Sequence, residues 1–292
     1  MTRDTCNPDN CSPPVSVPPL QQPNTAITIV VPFFNEQAAL AHFEGTINRV
    51  EVELGKEYDV NFVLVDDGST DGTAERLHHM FSSRPNFAVV RHAVNRGVAA
   101  AILTGIQYAT TEIVCSIDCD CSYDPQLLKR FIPALSVGVD MVTASPYHPR
   151  GAVRNVPNWR VWLSKGASSL YRLVLRNKLF TYTSCFRVYR KGAVGTLTLS
   201  NNGFVGVAEL LGRLDLQGSL IREESAELNV RLFGKSKMKL VRTIFGHLRL
   251  ILWLACMRAR TSKSVMSRSQ SKSSCNSQAA TSSQREIRPT VS

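Results

Sequence analysis

Residues 116–125 read S-I-D-C-D-C-S-Y-D-P and follow an apolar run at residues 113–115. The run predicts a buried β-strand that ends where the acids begin. Because side chains alternate along a strand, Asp118 and Asp120 are expected to point to the same face. Two neighbouring carboxylates repel each other unless a positive charge lies between them, which favours a divalent cation with oxygen ligands. A polar turn that starts a helix at Asp124 and Pro125 is the alternative interpretation.

The composition indicates one large globular domain with a basic C-terminal part. The chain has 292 residues, of which 43% are apolar, and a formal net charge of +11. From Leu228 to Arg285 there is no Asp or Glu, against twelve Lys or Arg. Such a segment suits an anionic partner, either a lipid headgroup layer or a phosphorylated substrate. Nucleic acid is disfavoured, because no aromatic-rich basic surface motif occurs.

The ends of the chain and its cysteines point to an intracellular protein without a spanning segment. The eight cysteines contain no C-x-x-C and form no disulfide pattern, which indicates free thiols in a reducing compartment. Residues 1–25 are expected to be a disordered leader that lacks the apolar core of a signal peptide, and residues 261–292 a disordered basic tail. No stretch reaches the ~20 apolar residues of a transmembrane helix.

Apolar strands alternate with helical segments through the first half of the chain. Strands are predicted at residues 26–32, 59–65, 87–91, 113–117 and 140–144. This alternation predicts an α/β fold, with a mostly parallel sheet flanked by helices. Ligands bind such sheets at the carboxyl ends of the strands, where F-F-N-E, D-D-G-S-T-D-G-T and D-C-D stand. The glycine fingerprints of dinucleotide-binding and P-loop proteins are missing.

These three clusters, within the longer blocks V-V-P-F-F-N-E, V-D-D-G-S-T-D-G-T and D-x-D, together with N-R-G at residues 95–97, resemble the nucleotide-binding half of family 2 glycosyltransferases. Later blocks, P-N-W-R-V-W-L-S-K-G-A, T-S-C-F-R-V-Y-R-K and R-L-F-G-K-S-K, resemble those of the dolichol-phosphate mannose synthase group. That group transfers a hexose from a nucleotide sugar to a polyprenyl phosphate. The resemblance covers roughly residues 27–252. It implies a GT-A catalytic domain at residues 26–236, with a Rossmann-like nucleotide-sugar half and an acceptor half.

The resemblance also implies roles for individual residues. The residues implied to contact the nucleotide are Pro32, Phe34, Glu36, Asp67, Asp118, Arg231 and Lys237. The residues implied in catalysis are Asp120, Arg160 and Ser164, and those implied to hold Mg²⁺ or Mn²⁺ are Asp118, Asp120 and Ser122. Phe34 stands where the family usually has Tyr, and Ser122 where it often has Gln.

Several neighbouring residues are expected to be structural. One of Phe33 and Phe34 should pack in the core, because neighbouring side chains on a strand face opposite ways. Asp71 is expected to cap a helix. Cys119 and Cys121 are read as packed thiols, Cys185 replaces a usual Gly, and Arg187 is expected to pair with an acid such as Glu209.

The nature of the acceptor decides which groups the reaction needs. A phosphate is already anionic and needs only cations and hydrogen-bond donors, whereas a hydroxyl needs a carboxylate base. Arg160 and Ser164 are four residues apart on a predicted helix, hence on one face, and the resemblance assigns them to the lipid phosphate. Glu209 is the candidate base for a hydroxyl. In-line attack would invert the configuration and give a β-linked product from an α-linked donor.

Two other functions stay open at this stage: a family 2 transferase that uses a hydroxyl on a glycolipid, and a non-catalytic protein that binds nucleotide sugar or anionic lipid. The sequence does not separate GDP-mannose from UDP-glucose as donor. Residues 237–260 carry Lys, Arg, Trp and aliphatic residues at helical spacing, which suits an interfacial helix, although a helix packed on the domain fits too. We therefore expect the protein to contact the cytoplasmic face of a membrane peripherally. A membrane-protein partner is compatible with this location.

Overall fold

The computed structural model describes residues 24–229 and 241–260. The strands β1 to β9 in these residues are Thr25–Phe33, Tyr58–Asp66, Phe87–Arg91, Ile113–Ser116, Met141–Ser145, Ala152–Val153, Arg187–Arg190, Ile221–Ser225 and Glu227–Leu228. The helices α1 to α8 are Leu40–Leu54, Thr73–Phe81, Val98–Tyr108, Leu128–Ala134, Asn158–Val174, Lys191–Val194, Phe204–Gln217 and 241–260. The expectations for residues 1–23 and 261–292, and those for Arg231 and Lys237, lie outside the described residues and stay predictions.

A seven-stranded sheet carries the fold, in the order β3-β2-β1-β4-β7-β5-β8. Strand β1 pairs in parallel with β2 and β4, and β2 pairs in parallel with β3. Strand β7 alone among the seven runs antiparallel, between β4 and β5. Strands β6 and β9 form a small separate pair. The mostly parallel sheet and its five predicted strands are confirmed, with ends shifted by one residue at most.

Helices cover both faces of the sheet, as the predominantly apolar parallel strands require. In β1 the alternate residues Ile27, Ile29 and Val31 face one core, which α1, α2 and α4 complete. Val30 faces a second core, to which α3, α5, α7 and α8 contribute. Phe33 belongs to the first core and packs edge-on against Phe43, with ring centroids 5.0 Å apart. The expectation that one Phe of the F-F pair is a core residue is therefore confirmed for Phe33.

The C-terminal helix α8 is packed on the domain along one face. Leu250, Ile251 and Leu254 are buried, and a Cβ at Gly212 of α7 would lie 2.9 Å from Leu254, so the glycine allows close approach. His247 Nδ1 lies 2.8 Å from the Tyr171 hydroxyl of α5. The buried face of α8 agrees with one of the two interpretations of residues 237–260, a helix packed on the domain. Among the described residues, no helix has the length and apolar character needed to span a bilayer.

Candidate active site

The carboxyl ends of β1, β2 and β4 meet at one edge of the sheet, because these strands are parallel neighbours. The N–H of Asp67 donates to the carbonyl of Phe33 at 2.8 Å, and the N–H of Ile117 donates to the carbonyl of Val30 at 3.1 Å. The three polar clusters that follow these strands in the sequence therefore lie side by side. The carboxyl ends of β3 and β5 open on the same edge.

Asn35 joins the loop after β1 to the loop after β2. Its N–H donates to Ser69 Oγ at 2.9 Å, and its Oδ1 accepts from the N–H of Thr70 at 2.8 Å. The N–H of Glu36 donates to Thr73 Oγ1 at 2.9 Å. Of the residues predicted to contact the nucleotide in this loop, Pro32 and Glu36 are buried and Phe34 is half-buried. The two loops thus form one rigid wall of the site.

Asp71 stabilises this wall and the start of α2. Its Oδ1 accepts from the N–H of Thr73 at 3.0 Å, and its Oδ2 accepts from the N–H of Gln37 at 3.2 Å. Burial raises the pKa of Asp71, but the hydrogen bonds from Thr73 and Gln37 outweigh it and hold the pKa below its ordinary value. The N-cap of α2 is Gly72, so the prediction that Asp71 is the cap is wrong by one residue; Asp71 instead holds the N–H of Thr73, the first residue of α2, from the position before the cap.

The carboxylate of Asp67 binds the N-R-G turn. Its Oδ1 accepts from the N–H of Arg96 at 2.9 Å, and its Oδ2 accepts from the N–H of Gly97 at 2.7 Å. Gly68 lies directly under this turn, because a Cβ there would come within 2.5 Å of the carbonyl carbon of Val94. Asp67 therefore shapes the wall of the site in this structure, and the predicted contact with the nucleotide stays a prediction.

The two acids of the D-x-D lie in a turn, so the expectation that strand alternation orients them is wrong. Strand β4 ends at Ser116, and the N–H of Cys121 donates back to the carbonyl of Asp118 at 3.2 Å. Cys121 closes this turn with a positive φ of 51°, which a continuing strand would not allow. The orientation of Asp118 and Asp120 is set by the turn.

Asp120 is buried and anchored from its own turn. Its Oδ1 accepts from the N–H of Ser122 at 2.9 Å and from the Ser122 hydroxyl at 2.6 Å. Only 3% of Asp120 is exposed, whereas Asp118 is half-buried. Ser122 thus holds one oxygen of Asp120 in place, and its direct contact with a metal stays a prediction.

The oxygen donors of this turn suit a hard divalent cation. Within residues 24–229 and 241–260, no three side chains of His, Cys, Asp or Glu converge as a complete metal site. Asp118, Asp120 and Ser122 offer oxygen atoms, which is compatible with a cation such as Mg²⁺ that keeps several waters and takes further oxygens from a bound phosphate. Their contact with a metal stays a prediction.

The cysteines around this turn are packed thiols. Cys119 is buried in the first core and Cys121 packs against that core. Burial, and then the charge of Asp120, raises the pKa of Cys121 to about 12. Burial also raises the pKa of Cys185, whose thiol hydrogen-bonds to the carboxylate of Asp118.

Helix α5 carries Arg160 and Ser164 one turn apart, as predicted. Ser164 hydrogen-bonds to the hydroxyl of Tyr147, which follows β5 at the same edge of the sheet. Lys165 Nζ lies 5.4 Å from the centroid of the Tyr147 ring. Sequence reasoning missed Tyr147, although its place just after a strand end was a usable signal.

The model of glycosyl transferase family 2 matches residues 28–198, more than half of the chain. The chain belongs to glycosyltransferase family 2. This family 2 glycosyltransferase is 30% identical over 226 residues to a dolichol-phosphate mannosyltransferase of Pyrococcus furiosus, across 76% of this chain and 62% of that protein. It is 28% identical over 228 residues to polyprenol monophosphomannose synthase of Mycolicibacterium smegmatis, across 76% of this chain and 84% of that protein. The chain spans less than two thirds of the Pyrococcus protein.

The fold of this family 2 glycosyltransferase also matches solved structures. Glucosyl-3-phosphoglycerate synthase of Mycobacterium tuberculosis, in complex with Mn²⁺, UDP and phosphoglyceric acid, superposes with a TM-score of 0.59 at 17% identity. The match covers 79% of this chain and 78% of that chain. The GT-A fold and the family that the sequence motifs indicated are both confirmed.

Two charged residues of this glycosyltransferase have other partners than predicted. Arg187 is fully buried, and its guanidinium donates to the carbonyls of Val207 and Tyr182, each at 2.8 Å. Glu209 instead accepts from Arg213 Nε at 2.7 Å, one helical turn along α7. The predicted pair of Arg187 with Glu209 is therefore wrong. Glu209 pairs instead with Arg213, its i,i+4 neighbour on the same helix.

Glu209 is also a poor candidate for a base. Its carboxylate accepts from the N–H groups of Ser200 at 2.9 Å and Asn201 at 2.8 Å, in addition to Arg213. Burial raises the pKa of Glu209, but the hydrogen bonds from Ser200, Asn201 and Arg213 outweigh it and lower the pKa. A general base needs a pKa near the working pH and a lone pair facing the substrate. In this structure, Glu209 holds the loop at residues 200–201 through these hydrogen bonds.

The last described residue before Arg231, Asn229, lies beside the D-x-D turn. The N–H of Asn229 donates to the carbonyl of Ser122 at 2.9 Å, which fixes the point where the chain leaves β9. Arg231 follows two residues later, outside the described residues.

Proposed function

We propose that this chain is an inverting hexosyltransferase that moves a hexose from a nucleotide sugar, GDP-mannose or UDP-glucose, to a polyprenyl or dolichyl phosphate. The observation that carries the proposal is the joining of the D-x-D turn with the loops after β1 and β2 at one edge of the sheet. Relatives named for mannosyl transfer to dolichol phosphate and for polyprenol monophosphomannose synthesis support the acceptor class.

The nucleoside would bind along the wall formed by the loops after β1 and β2. The half-buried Phe34 offers an aromatic face for a base, and Glu36 and Pro32 line the loop beside it. Asp67 would contribute by holding the N-R-G turn against this wall. The structure keeps these groups in place through backbone hydrogen bonds, so little ordering would be needed on binding.

The diphosphate would bind beside Asp118 and Asp120, with Mg²⁺ or Mn²⁺. The M. tuberculosis structure of the same fold contains Mn²⁺ with UDP, which supports this choice of cation. Asp118, Asp120 and Ser122 are the residues that would hold it. When bound, the cation neutralises charge that grows on the leaving nucleoside diphosphate. Ser122 contributes by fixing one oxygen of Asp120, which prepares the carboxylate for this role.

The acceptor phosphate would be held by cations and hydroxyls. Arg160 and Ser164 lie one turn apart on α5, and Tyr147 fixes the Ser164 hydroxyl from the end of β5. A phosphate oxygen attacks the anomeric carbon while the bond to the diphosphate oxygen breaks on the opposite side, which gives a β-linked product. No proton has to be removed, and the occupied carboxylate of Glu209 argues against a hydroxyl acceptor.

A surface formed by α5 and α8 would contact the membrane. The two helices pack together through Tyr171 and His247, and both expose large apolar side chains. On α5, Trp162 is 78% and Leu173 80% exposed; on α8, Phe245 is 68% exposed. Aromatic and aliphatic groups beside basic residues suit the interface of an anionic membrane. We place this contact at the cytoplasmic face of a membrane, where a membrane-protein partner could share the same surface.

The test is a panel of radiolabelled GDP-mannose and UDP-glucose with polyprenyl phosphate, in the presence of Mg²⁺ or Mn²⁺, followed by organic extraction. We expect label in the lipid fraction with one donor, and a β-linkage in the product. The matched acceptor control is the polyprenol without phosphate, which should receive no sugar. Absence of lipid label with every donor would reject the proposed function, and an α-linked product would reject inversion.

A further inference from the structure

A buried chain of hydrogen bonds runs behind the site from Asp67 through His92 to Thr104. His92 Nδ1 lies 2.7 Å from Asp67 Oδ1, and His92 Nε2 lies 3.0 Å from Thr104 Oγ1. His92 is 7% exposed and Asp67 2% exposed. His92 follows the carboxyl end of β3, and the reaction proposed above gives it no role.

The partners of His92 fix its hydrogens. A carboxylate oxygen can only accept, so Nδ1 carries a hydrogen that is donated to Asp67. In the neutral imidazole, Nε2 then accepts from the hydroxyl of Thr104 on α3. Thr104 thereby sets the tilt of the ring, and the ring delivers one directed hydrogen bond to Asp67.

That hydrogen bond completes the set held by Asp67. Oδ1 accepts from His92 and from the N–H of Arg96, and Oδ2 accepts from the N–H of Gly97. Three hydrogen bonds therefore hold the carboxylate. Two of them come from the N–H groups of Arg96 and Gly97, the two residues directly before α3. Gly97 adopts a φ of 104°, and a Cβ there would come within 2.6 Å of the carbonyl oxygen of Asn202, so the turn has no room to relax.

We propose that His92 is a positioning residue of the donor site: by orienting Asp67, it fixes the turn at residues 95–97 and so strengthens binding of the donor's nucleoside diphosphate. This inference rests on the proposed function, because it takes the wall next to Asp67 as the place where the nucleotide binds. His92 acts through Asp67 and does not touch the donor.

Two substitutions separate the two hydrogen bonds of His92. In His92→Asn the amide nitrogen takes the place of Nδ1 and can still donate to Asp67. In His92→Gln the amide nitrogen takes the place of Nε2 and reaches Thr104, while Asp67 loses its donor. Binding of UDP and of GDP, each with Mn²⁺, is measured by isothermal titration calorimetry. We expect His92→Asn to stay within about 3-fold of wild type and His92→Gln to bind about 10-fold more weakly.

Two further readouts distinguish positioning from general destabilisation. Hydrogen exchange of the amides at residues 95–97 should accelerate in His92→Gln and stay slow in His92→Asn. In turnover assays, His92→Gln should raise the KM for the donor with little change in kcat. The control is Thr28→Val, which removes the buried 2.8 Å hydrogen bond to Thr111 at the opposite edge of the sheet. It should lower the melting temperature without changing exchange at residues 95–97.

Equal behaviour of the Asn and Gln variants in amide exchange would overturn the proposal, whether both resemble wild type or both are impaired. If wild type binds neither UDP nor GDP, the donor site of the proposed function fails, and the effect of His92 on donor affinity fails with it. In that case amide exchange still decides whether His92 holds the turn. Faster exchange at residues 95–97 in Thr28→Val would also count against a local role.

Discussion

Replacing Glu209 with Gln should destabilise the protein without removing its catalytic activity. Each carboxylate oxygen accepts two hydrogen bonds: Oε1 from Ser200 and Arg213, and Oε2 from the backbone and side chain of Asn201. The side-chain amide of Gln places an NH₂ group where one of these oxygens stood. That NH₂ faces two hydrogen-bond donors and cannot accept from either. Glu209 is 1% exposed, so these donors do not regain water easily.

The cost follows from these contacts. Leaving two donors unpaired and removing the charge should lower the free energy of unfolding by about 2–4 kcal/mol, with the partly exposed Arg213 keeping the loss from being larger. For a domain of this size, that loss corresponds to a fall in melting temperature of about 5–10 °C. If Glu209 were instead the general base of a hydroxyl acceptor, the folded variant would lose about 10²- to 10⁴-fold in kcat.

The assay pairs thermal unfolding with transfer of labelled sugar to polyprenyl phosphate, at a temperature where both proteins are folded. We expect a clear loss of stability and a kcat within about 3-fold of wild type. Glu112→Gln is the control, because Glu112 forms only a surface pair with Arg190 and should cost less than about 1 kcal/mol. A folded Glu209→Gln protein that has lost its activity would refute the reasoning and favour the hydroxyl acceptor.

The same carboxylate should contribute to acid denaturation. The folded protein lowers the pKa of Glu209 from an ordinary value of 4.5, so on acidification the unfolded chain takes up the proton first. The stability contributed by Glu209 is present above that ordinary value and is lost as the pH falls through the lower pKa of the folded state. The free energy of unfolding should therefore fall less steeply with decreasing pH, below about pH 4.5, in Glu209→Gln than in wild type.

Three further outcomes follow from the site and the exposed helices. Asp120→Asn should lower transfer by at least about 100-fold and abolish Mn²⁺-dependent binding of UDP or GDP in calorimetry; retained binding would remove Asp120 from the metal site. Ser122→Ala should weaken Mn²⁺ binding about 10-fold while circular dichroism stays unchanged, since it removes one of the two hydrogen bonds that fix Oδ1 of Asp120. Trp162→Glu should reduce sedimentation with anionic vesicles about 10-fold, whereas Val52→Glu, an exposed position on α1 in the opposite layer, should not.

The sheet could be predicted because its strands are short β-branched runs between turn residues, a pattern that local sequence expresses directly. A polar turn at the D-x-D was one of two interpretations of the sequence, but its geometry could not be predicted, because the positive φ of Cys121 depends on how the chain leaves the sheet. The partner of Glu209 could have been predicted from the sequence, since Arg213 stands four residues later on the same helix. The role of His92 depends on β3 lying beside β2, an order that no local pattern encodes.

Because Leu250, Ile251 and Leu254 complete a core of the catalytic domain, α8 cannot be treated as a detachable anchor. Shortening the chain before residue 241 to obtain a lipid-independent enzyme would open that core against α7 and α5. Release from the bilayer is better sought by changing the outward side chains of α8, with its inner face left intact.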